Sequence, residues 1–128
     1  MDEKRKKILV VDDEETVLFV FTTHLNAAGY DVVTASSGKA GLEAVGREDP
    51  DLVLLDVMMP EMNGFAVCRA IRDNPAWKKL PVVMITGLHG EADAQEGRQS
   101  GATDFMTKPV DYDDLTKRVR KFIGSPFK

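Results

Sequence analysis

The sequence predicts an α/β domain in which five β-strands alternate with five α-helices. Five short apolar runs, several of them nearly continuous and β-branched, are separated by segments with helical spacing of apolar residues. Such continuous runs are typical of strands that are buried on both faces of a parallel sheet. Strands that alternate with helices of this length form parallel sheets with right-handed crossovers. A length of 128 residues fits one domain with its own hydrophobic core.

The predicted strands are the apolar runs, of which the last is the weakest because its ends are polar. They span residues 8–11, 32–35, 52–55, 82–85 and 104–106. The predicted helices span residues 14–28, 38–45, 64–72, 91–100 and 112–123. The residues that favour helix starts and ends are Ser36 or Ser37 and Asp111 as N-caps, and Gly29 and Gly124 beyond the C-termini. The fourth helix has little apolar periodicity and a central Gly97, which predicts low local stability.

Composition and charge exclude several classes of protein. Hydrophobic residues make up 43% of the chain, which is too many for a disordered chain and too few for a membrane protein. The mild net charge of −4 argues against non-specific binding of nucleic acid. A single cysteine, Cys68, excludes a disulfide framework, and the sequence shows neither a secretion signal nor a transmembrane run. We therefore expect a cytoplasmic protein that contacts neither membranes nor nucleic acid directly.

Polar residues follow four of the predicted strands at the point where each strand ends. They are Asp12 and Asp13 after the first strand, Asp56 after the third, Thr86 after the fourth and Lys108 after the fifth. Ligands bind at the carboxyl ends of strands in open α/β sheets, so we expect these side chains to meet. Three carboxylates repel one another unless a cation such as Mg²⁺ is present, and Mg²⁺ prefers oxygen ligands. A metal, a lysine and a hydroxyl around a carboxylate predict a site for a phosphoryl group, although Asp13 could instead cap a helix.

Four motifs in this order resemble those of the response regulator receiver domain of two-component signalling systems. They are VVDDE at residues 10–14, LLDVMMPEMNG at 54–64, MITG at 84–87 and GATDFMTKP at 101–109. The resemblance spans residues 7–123 and suggests a single domain like the chemotaxis regulators. It implies a flavodoxin-like (βα)₅ fold, doubly wound, with strand order 2-1-3-4-5. The receiver domain would occupy residues 1–124, followed at 125–128 by a tail or the start of a linker.

The resemblance also implies a role for each residue of the predicted site. Asp56 accepts a phosphoryl group from a phosphohistidine. Lys108 pairs with Asp56 at rest and then with the phosphoryl oxygens. The Mg²⁺ ligands implied in this way are Asp12, mainly through a water, Asp13, Asp56 and the backbone carbonyl of Met58.

A signalling switch, rather than an enzyme, follows from the same resemblance. Thr86 turns its hydroxyl toward the phosphoryl group, and Phe105, where the family often has tyrosine, moves into the space that is released. The face of the fourth helix, fifth strand and fifth helix then controls a downstream protein or a linked output domain. The donor is a histidine kinase or a histidine phosphotransfer protein. Self-dephosphorylation is slow, with Met58 and Leu88 flanking the path of the attacking water.

Three other kinds of protein fit the pattern less well. A haloacid-dehalogenase-type phosphatase also forms an aspartyl phosphate, but it needs an Asp-x-Asp arrangement at the first strand, where this chain has adjacent Asp12 and Asp13. A flavin-binding flavodoxin needs a loop rich in glycine and hydroxyl residues at the same place. A degenerate receiver that acts only as a binding module is disfavoured because each residue of the acidic pocket is present.

Overall fold

The computed structural model describes residues 4–87 and 91–128, apart from the side chains of residues 91 and 92. Its strands are β1 (Lys7–Val11), β2 (Asp31–Ala35), β3 (Leu52–Asp56), β4 (Val82–Thr86) and β5 (Asp104–Thr107). Its helices are α1 (Glu15–Ala27), α2 (Gly38–Glu48), α3 (Gly64–Asp73), α4 (Glu91–Gln99) and α5 (Tyr112–Ile123). A short 3₁₀ turn, Pro75–Trp77, connects α3 to β4. Within the described ranges, no helix is both long enough and apolar enough to cross a bilayer.

The strands form one parallel sheet in the order β2-β1-β3-β4-β5, which confirms the predicted fold. In the centre of the sheet, Val11 of β1 lies opposite Ala35 on one side and Leu55 on the other. Farther along, Thr86 of β4 lies opposite Thr107 of β5. This register brings the carboxyl ends of the strands, and the polar residues that follow them, to one edge of the sheet.

Helices cover both faces of the sheet, so two hydrophobic layers form. Ile8 and Val10 of β1 pack in the layer that holds α1 and α5. Leu9 and Val11 pack in the layer that holds α2 and α3. Successive side chains of a strand point to opposite faces, and all four residues are buried. Burial on both faces explains why the sequence of this strand is a continuous apolar run.

The helix that differs most from its prediction is α2, which was expected at residues 38–45. It continues through the exposed Gly46 and ends only at Asp49, whose backbone is left-handed with φ of 50°. In the additional turn, Glu48 Oε1 lies 3.2 Å from the Nζ atom of Lys7 on β1. A glycine weakens a helix without ending it, and here a tertiary ion pair supports the turn that follows.

Residues 125–128, expected to be a tail or linker, fold back along the N-terminal segment. Gly124, with φ of 78°, ends α5 and turns the chain. Phe127 then pairs antiparallel with Arg5, whose guanidinium lies 5.1 Å from the centre of the ring. The buried hydroxyl of Tyr30 donates a hydrogen bond of 2.7 Å to the carbonyl oxygen of Gly124. The end of α5 is thereby attached to the amino edge of the sheet, opposite the edge that carries the polar residues.

Candidate functional site

Three carboxylates meet at the carboxyl edge of β1 and β3. Asp12 and Asp13 follow β1, and Asp56 is the last residue of β3. One carboxylate oxygen of each lies within 4.8 Å of those of the other two. Asp12 and Asp56 are only 1% and 5% exposed, whereas Asp13 is exposed. The structure therefore brings together the acidic residues that the sequence placed at this edge.

The start of α1 does not use Asp13 as its cap. The N-cap residue is Glu14, whose side chain makes no capping hydrogen bond. Instead, Oδ1 of Asp12 accepts a hydrogen bond of 2.9 Å from the backbone N–H of Glu14. This bond orients the buried carboxylate, while the exposed carboxylate of Asp13 lies beside the other two and is accessible to a ligand.

Lys108 brings a positive charge to the carboxylates. Its Nζ atom lies 3.2 Å from Oδ1 of Asp56 and 3.6 Å from Oδ2 of Asp12. The backbone N–H of Lys108 donates to the carbonyl oxygen of Thr86 at 2.7 Å, which holds the loop after β5 against the end of β4. The peptide bond between Lys108 and Pro109 is cis. The lysine is thus positioned by the sheet itself, within contact of both buried carboxylates.

Burial and crowding raise the pKa values of the carboxyl groups. Burial raises the pKa of Asp56 to about 6, with Asp12 adding to the effect and Lys108 opposing it. Burial also raises the pKa of Asp12, against the hydrogen bond from Glu14 and the charge of Lys108. Burial opposes the charge on Lys108, but Asp56 and Asp12 outweigh it and raise the pKa of the lysine. Lys108 therefore compensates the acidic cluster only in part, and the ionised cluster favours a further cation.

The donor atoms at this edge fit Mg²⁺. Three carboxylates offer hard oxygen ligands close enough to share one ion, and Mg²⁺ commonly binds one or two carboxylates and keeps several waters. Burial, together with the charge of Asp12, raises the pKa of Asp56, and a cation bound beside the ionised carboxylates would oppose that shift. Met58 follows two residues after Asp56 and is 62% exposed.

The two predicted switch residues lie on neighbouring strands and on the same face of the sheet. Thr86 ends β4 and is buried, and Phe105 of β5 lies opposite Met84 of β4. Because side chains alternate along a strand, Met84 and Thr86 share a face with Phe105. This is the face that packs against α3 and α4. Leu88, predicted to flank the water path, lies outside the described residues.

Gly64 is a site residue whose role sequence reasoning did not identify. A Cβ atom at this position would lie 2.4 Å from the backbone oxygen of Asp56, so only glycine allows α3 to begin so close to the acidic residue. The signal in the sequence is a glycine at the first position of a helix, directly after the N-cap Asn63. By contrast, no heavy atom of the described residues, apart from its chain neighbours, lies within 4 Å of the place that a Cβ on Gly87 would take.

Comparison with known proteins identifies the family to which this arrangement belongs. Residues 8–120 match the response regulator receiver domain. The response regulator PleD of Caulobacter vibrioides is 48% identical over 114 residues, which are 89% of this chain and 25% of PleD. The alkaline phosphatase synthesis transcriptional regulatory protein PhoP of Bacillus subtilis is 41% identical over 118 residues, which are 92% of this chain and 48% of PhoP. The chain thus spans a quarter to a half of the length of these relatives.

Solved structures agree with the sequence relatives. The chemotaxis protein CheY4 of Vibrio cholerae has a TM-score of 0.87 at 32% identity, covering 92% of this chain and 98% of that one. The BeF₃-activated receiver domain of Klebsiella pneumoniae RstA has a TM-score of 0.86 at 32% identity, with coverage of 92% and 98%. These comparisons give no support to the haloacid-dehalogenase-type phosphatase. Receiver domains typically bind Mg²⁺ at an acidic cluster, and response regulators work with histidine kinases or phosphotransfer proteins. The chain belongs to the receiver domains of two-component response regulators.

Proposed function

We propose that this chain is a switch in which Asp56 accepts a phosphoryl group from the phosphohistidine of a histidine kinase or histidine phosphotransfer protein. The position of Asp56 is the observation that carries the proposal. Its buried carboxylate lies 3.2 Å from Nζ of Lys108 and shares the edge of the sheet with two further carboxylates. A nucleophile, a cation and a set of metal ligands are the parts that phosphoryl transfer requires.

In the transfer, a carboxylate oxygen of Asp56 attacks phosphorus and forms a P–O bond. The P–N bond to the donor imidazole breaks, and its electron pair remains on the histidine nitrogen. The product is an acyl phosphate, in which the negative charge has moved from the carboxylate to the phosphoryl oxygens. Lys108 contacts the carboxylate before the transfer and is within reach of the phosphoryl oxygens after it. The chain acts on its own side chain, so it is a switch rather than an enzyme with a separate substrate, apart from slow self-dephosphorylation.

The residues that would hold Mg²⁺ are Asp12, Asp13, Asp56 and the backbone carbonyl of Met58. When bound, the ion neutralises part of the charge on the phosphoryl group. The backbone N–H of Glu14 orients Asp12 for this role. Because Asp12 is buried, little solvent contacts its carboxylate, and a bound cation would compensate its charge instead. The exposed Asp13 leaves one side of the site open to water and to the donor.

Thr86 and Phe105 transmit the structural effect of phosphorylation to the surface formed by α4, β5 and α5. The phosphoryl oxygens attract the hydroxyl of Thr86 at the end of β4, and the ring of Phe105 moves into the space that this releases. Phenylalanine has no hydroxyl, so the switch works through the position of the ring alone. The changed surface controls a downstream protein or a covalently linked output domain.

The donor docks on α1, beside the acidic edge. Phe19 and Val20 on this helix are 71% and 38% exposed and border one surface depression, and contiguous exposed apolar surface marks protein–protein interaction sites. We assign residues 1–124 to the receiver domain, with residues 125–128 following it. We place the protein in the cytoplasm, where histidine kinases transfer phosphoryl groups.

Labelling with a small phosphodonor tests the proposal. Wild type, Asp56→Asn and the control Asp31→Asn, which alters an exposed residue at the amino end of β2, are incubated with acetyl phosphate and Mg²⁺. Intact mass is expected to show phosphorylated wild type and control, no phosphorylated Asp56→Asn, and no labelling of any protein in excess chelator. Equal labelling of wild type and Asp56→Asn would refute the assignment.

A further inference from the structure

The backbone conformation at Gly97, inside α4, does not require a glycine. Its φ lies outside the left-handed region, unlike that of Gly101 just beyond the helix, which has φ of 97°. A glycine inside a helix is destabilising relative to alanine, because it gains backbone freedom in the unfolded chain. Some other feature of the structure must therefore explain why no side chain is present at position 97.

The space next to Gly97 is filled by the ring of Phe105. A Cβ atom on Gly97 would lie 3.0 Å from Cδ2 and 3.1 Å from Cε2 of Phe105, and 3.7 Å from Sδ of Met84. Carbon atoms in ordinary contact are about 3.5–4.0 Å apart, so a methyl group at this position would force the ring to move. The ring therefore lies directly on the backbone of α4.

Other described contacts of α4 with its neighbours are mainly polar. Glu96 Oε1 lies 2.6 Å from the guanidinium of Arg69 on α3, in a partly exposed ion pair of a kind that contributes little stability. Within the helix end, the buried hydroxyl of Ser100 donates to the carbonyl oxygen of Gly97 at 2.6 Å. The sequence of α4, EADAQEGRQ, offers few apolar side chains for the sheet. The positions of α4 and of the Phe105 ring therefore depend on each other.

We propose that Gly97 is a positioning residue for the switch ring. Its missing side chain creates a ring seat, formed by Gly97 and Met84, that holds Phe105 against α4. The ring seat belongs to the unphosphorylated chain and does not depend on the proposed function. Only the effect of Gly97 on the movement that follows phosphorylation rests on the proposed function. An added methyl group displaces the ring without phosphorylation, and this reduces the further movement that phosphorylation produces.

Thermal unfolding of two matched glycine substitutions tests the ring seat. Gly46 of α2 is the control, because it is helical and exposed, and among the described residues a Cβ there would meet only Trp77, at 3.7 Å. Gly46→Ala is expected to raise Tm by about 3 °C. Gly97→Ala is expected to give no such gain in the wild-type chain, and to give it in a Phe105→Ala background, where no ring is displaced. An equal gain from Gly46→Ala and Gly97→Ala in the wild-type chain would overturn the proposal, as would the absence of any gain in the Phe105→Ala background.

Fluorine NMR of 4-fluorophenylalanine protein reports the ring itself, with the Phe105 resonance assigned by Phe105→Leu. Gly97→Ala is expected to shift this resonance in the free protein, whereas Gly46→Ala leaves it unchanged. Mg²⁺ and beryllofluoride, which mimics an acyl phosphate, then shift the resonance of wild type at least twice as far as that of Gly97→Ala. A resonance that Gly97→Ala does not move overturns the ring seat. A resonance that beryllofluoride moves in no variant overturns the switch role of Phe105, while the result in the free protein still decides the seat.

Discussion

Replacement of Asp56 by asparagine is expected to stabilise the fold when no divalent cation is present. Burial, together with Asp12, raises the pKa of Asp56 from 3.8 to about 6 even though Lys108 opposes the shift. Each pKa unit corresponds to about 1.4 kcal/mol, so the ionised carboxylate destabilises the folded protein by about 3 kcal/mol. Asparagine retains the shape of the side chain and removes its charge. Removal of the whole destabilisation would raise the Tm by roughly 10 °C in a domain of about this size.

The stabilisation depends on pH in a direction that follows from the raised pKa. Well above pH 6, Asp56 is ionised in both the folded and the unfolded protein, and the folded protein carries the whole penalty. As the pH falls through 6, the folded protein binds the proton first, and below 3.8 both states are protonated and the penalty is gone. The advantage of Asp56→Asn over wild type is therefore largest above pH 6 and disappears as the pH falls toward 3.8.

Thermal and urea unfolding in EDTA, at pH values across this interval, measure the difference. The control Asp31→Asn alters an exposed carboxylate and is expected to change the free energy of unfolding by less than about 0.5 kcal/mol. Added Mg²⁺ is expected to narrow the gap, because wild type retains all of the proposed ligands and gains more from binding. If Asp56→Asn is no more stable than wild type above pH 6 without metal, or if the difference does not vary with pH, the ionised Asp56 does not destabilise the fold.

Three further variants, one of them a double substitution, separate the roles of residues around the fold. Lys108→Ala is expected to leave the Mg²⁺ affinity unchanged or higher, because a competing positive charge is removed, and a large loss of affinity measured by calorimetry would contradict this placement of Lys108. The same variant is expected to uncouple phosphorylation from the change of shape. The double change Met58→Asn, Leu88→Glu is expected to introduce polar groups along the predicted water path and to speed the loss of phosphoryl label severalfold at constant Mg²⁺, whereas decay as slow as wild type would count against it. Tyr30→Phe removes the hydrogen bond to Gly124 and lowers the free energy of unfolding by about 1 kcal/mol in urea, and an unchanged midpoint would show that the bond contributes nothing.

The acidic edge could be predicted because it depends only on local pattern and chain order. A continuous apolar run such as 8–11 indicates a strand buried on both faces, and the residue after such a strand lies at the carboxyl edge of a parallel sheet. Asp12, Asp13 and Asp56 therefore share an edge once strands and helices alternate. The raised pKa of Asp56 follows mainly from its burial, which the pattern indicates without giving its extent, and the distances between the carboxylates come from the three-dimensional structure.

Features that depend on contacts between distant residues could not be predicted in this way. The pairing of Arg5 with Phe127 joins the two ends of the chain, and no periodicity in residues 125–128 indicates it. The last turn of α2, past Gly46, is accompanied by an ion pair between Glu48 and Lys7 of β1, which links residues that are far apart in the sequence. The sequence shows Gly97 only as a weak point of α4, whereas its contact with the ring of Phe105 depends on the packing of the helix against the sheet.

Chemical identification of the modified residue distinguishes Asp56 from the neighbouring carboxylates as the site of phosphorylation. Protein that has been phosphorylated with acetyl phosphate and Mg²⁺ is reduced with borohydride, which converts an aspartyl phosphate to homoserine, and its peptides are sequenced by mass spectrometry. We expect homoserine at position 56, and none at the neighbouring Asp12 and Asp13. Homoserine at either of those positions, or phosphorylated protein without homoserine at position 56, would contradict it.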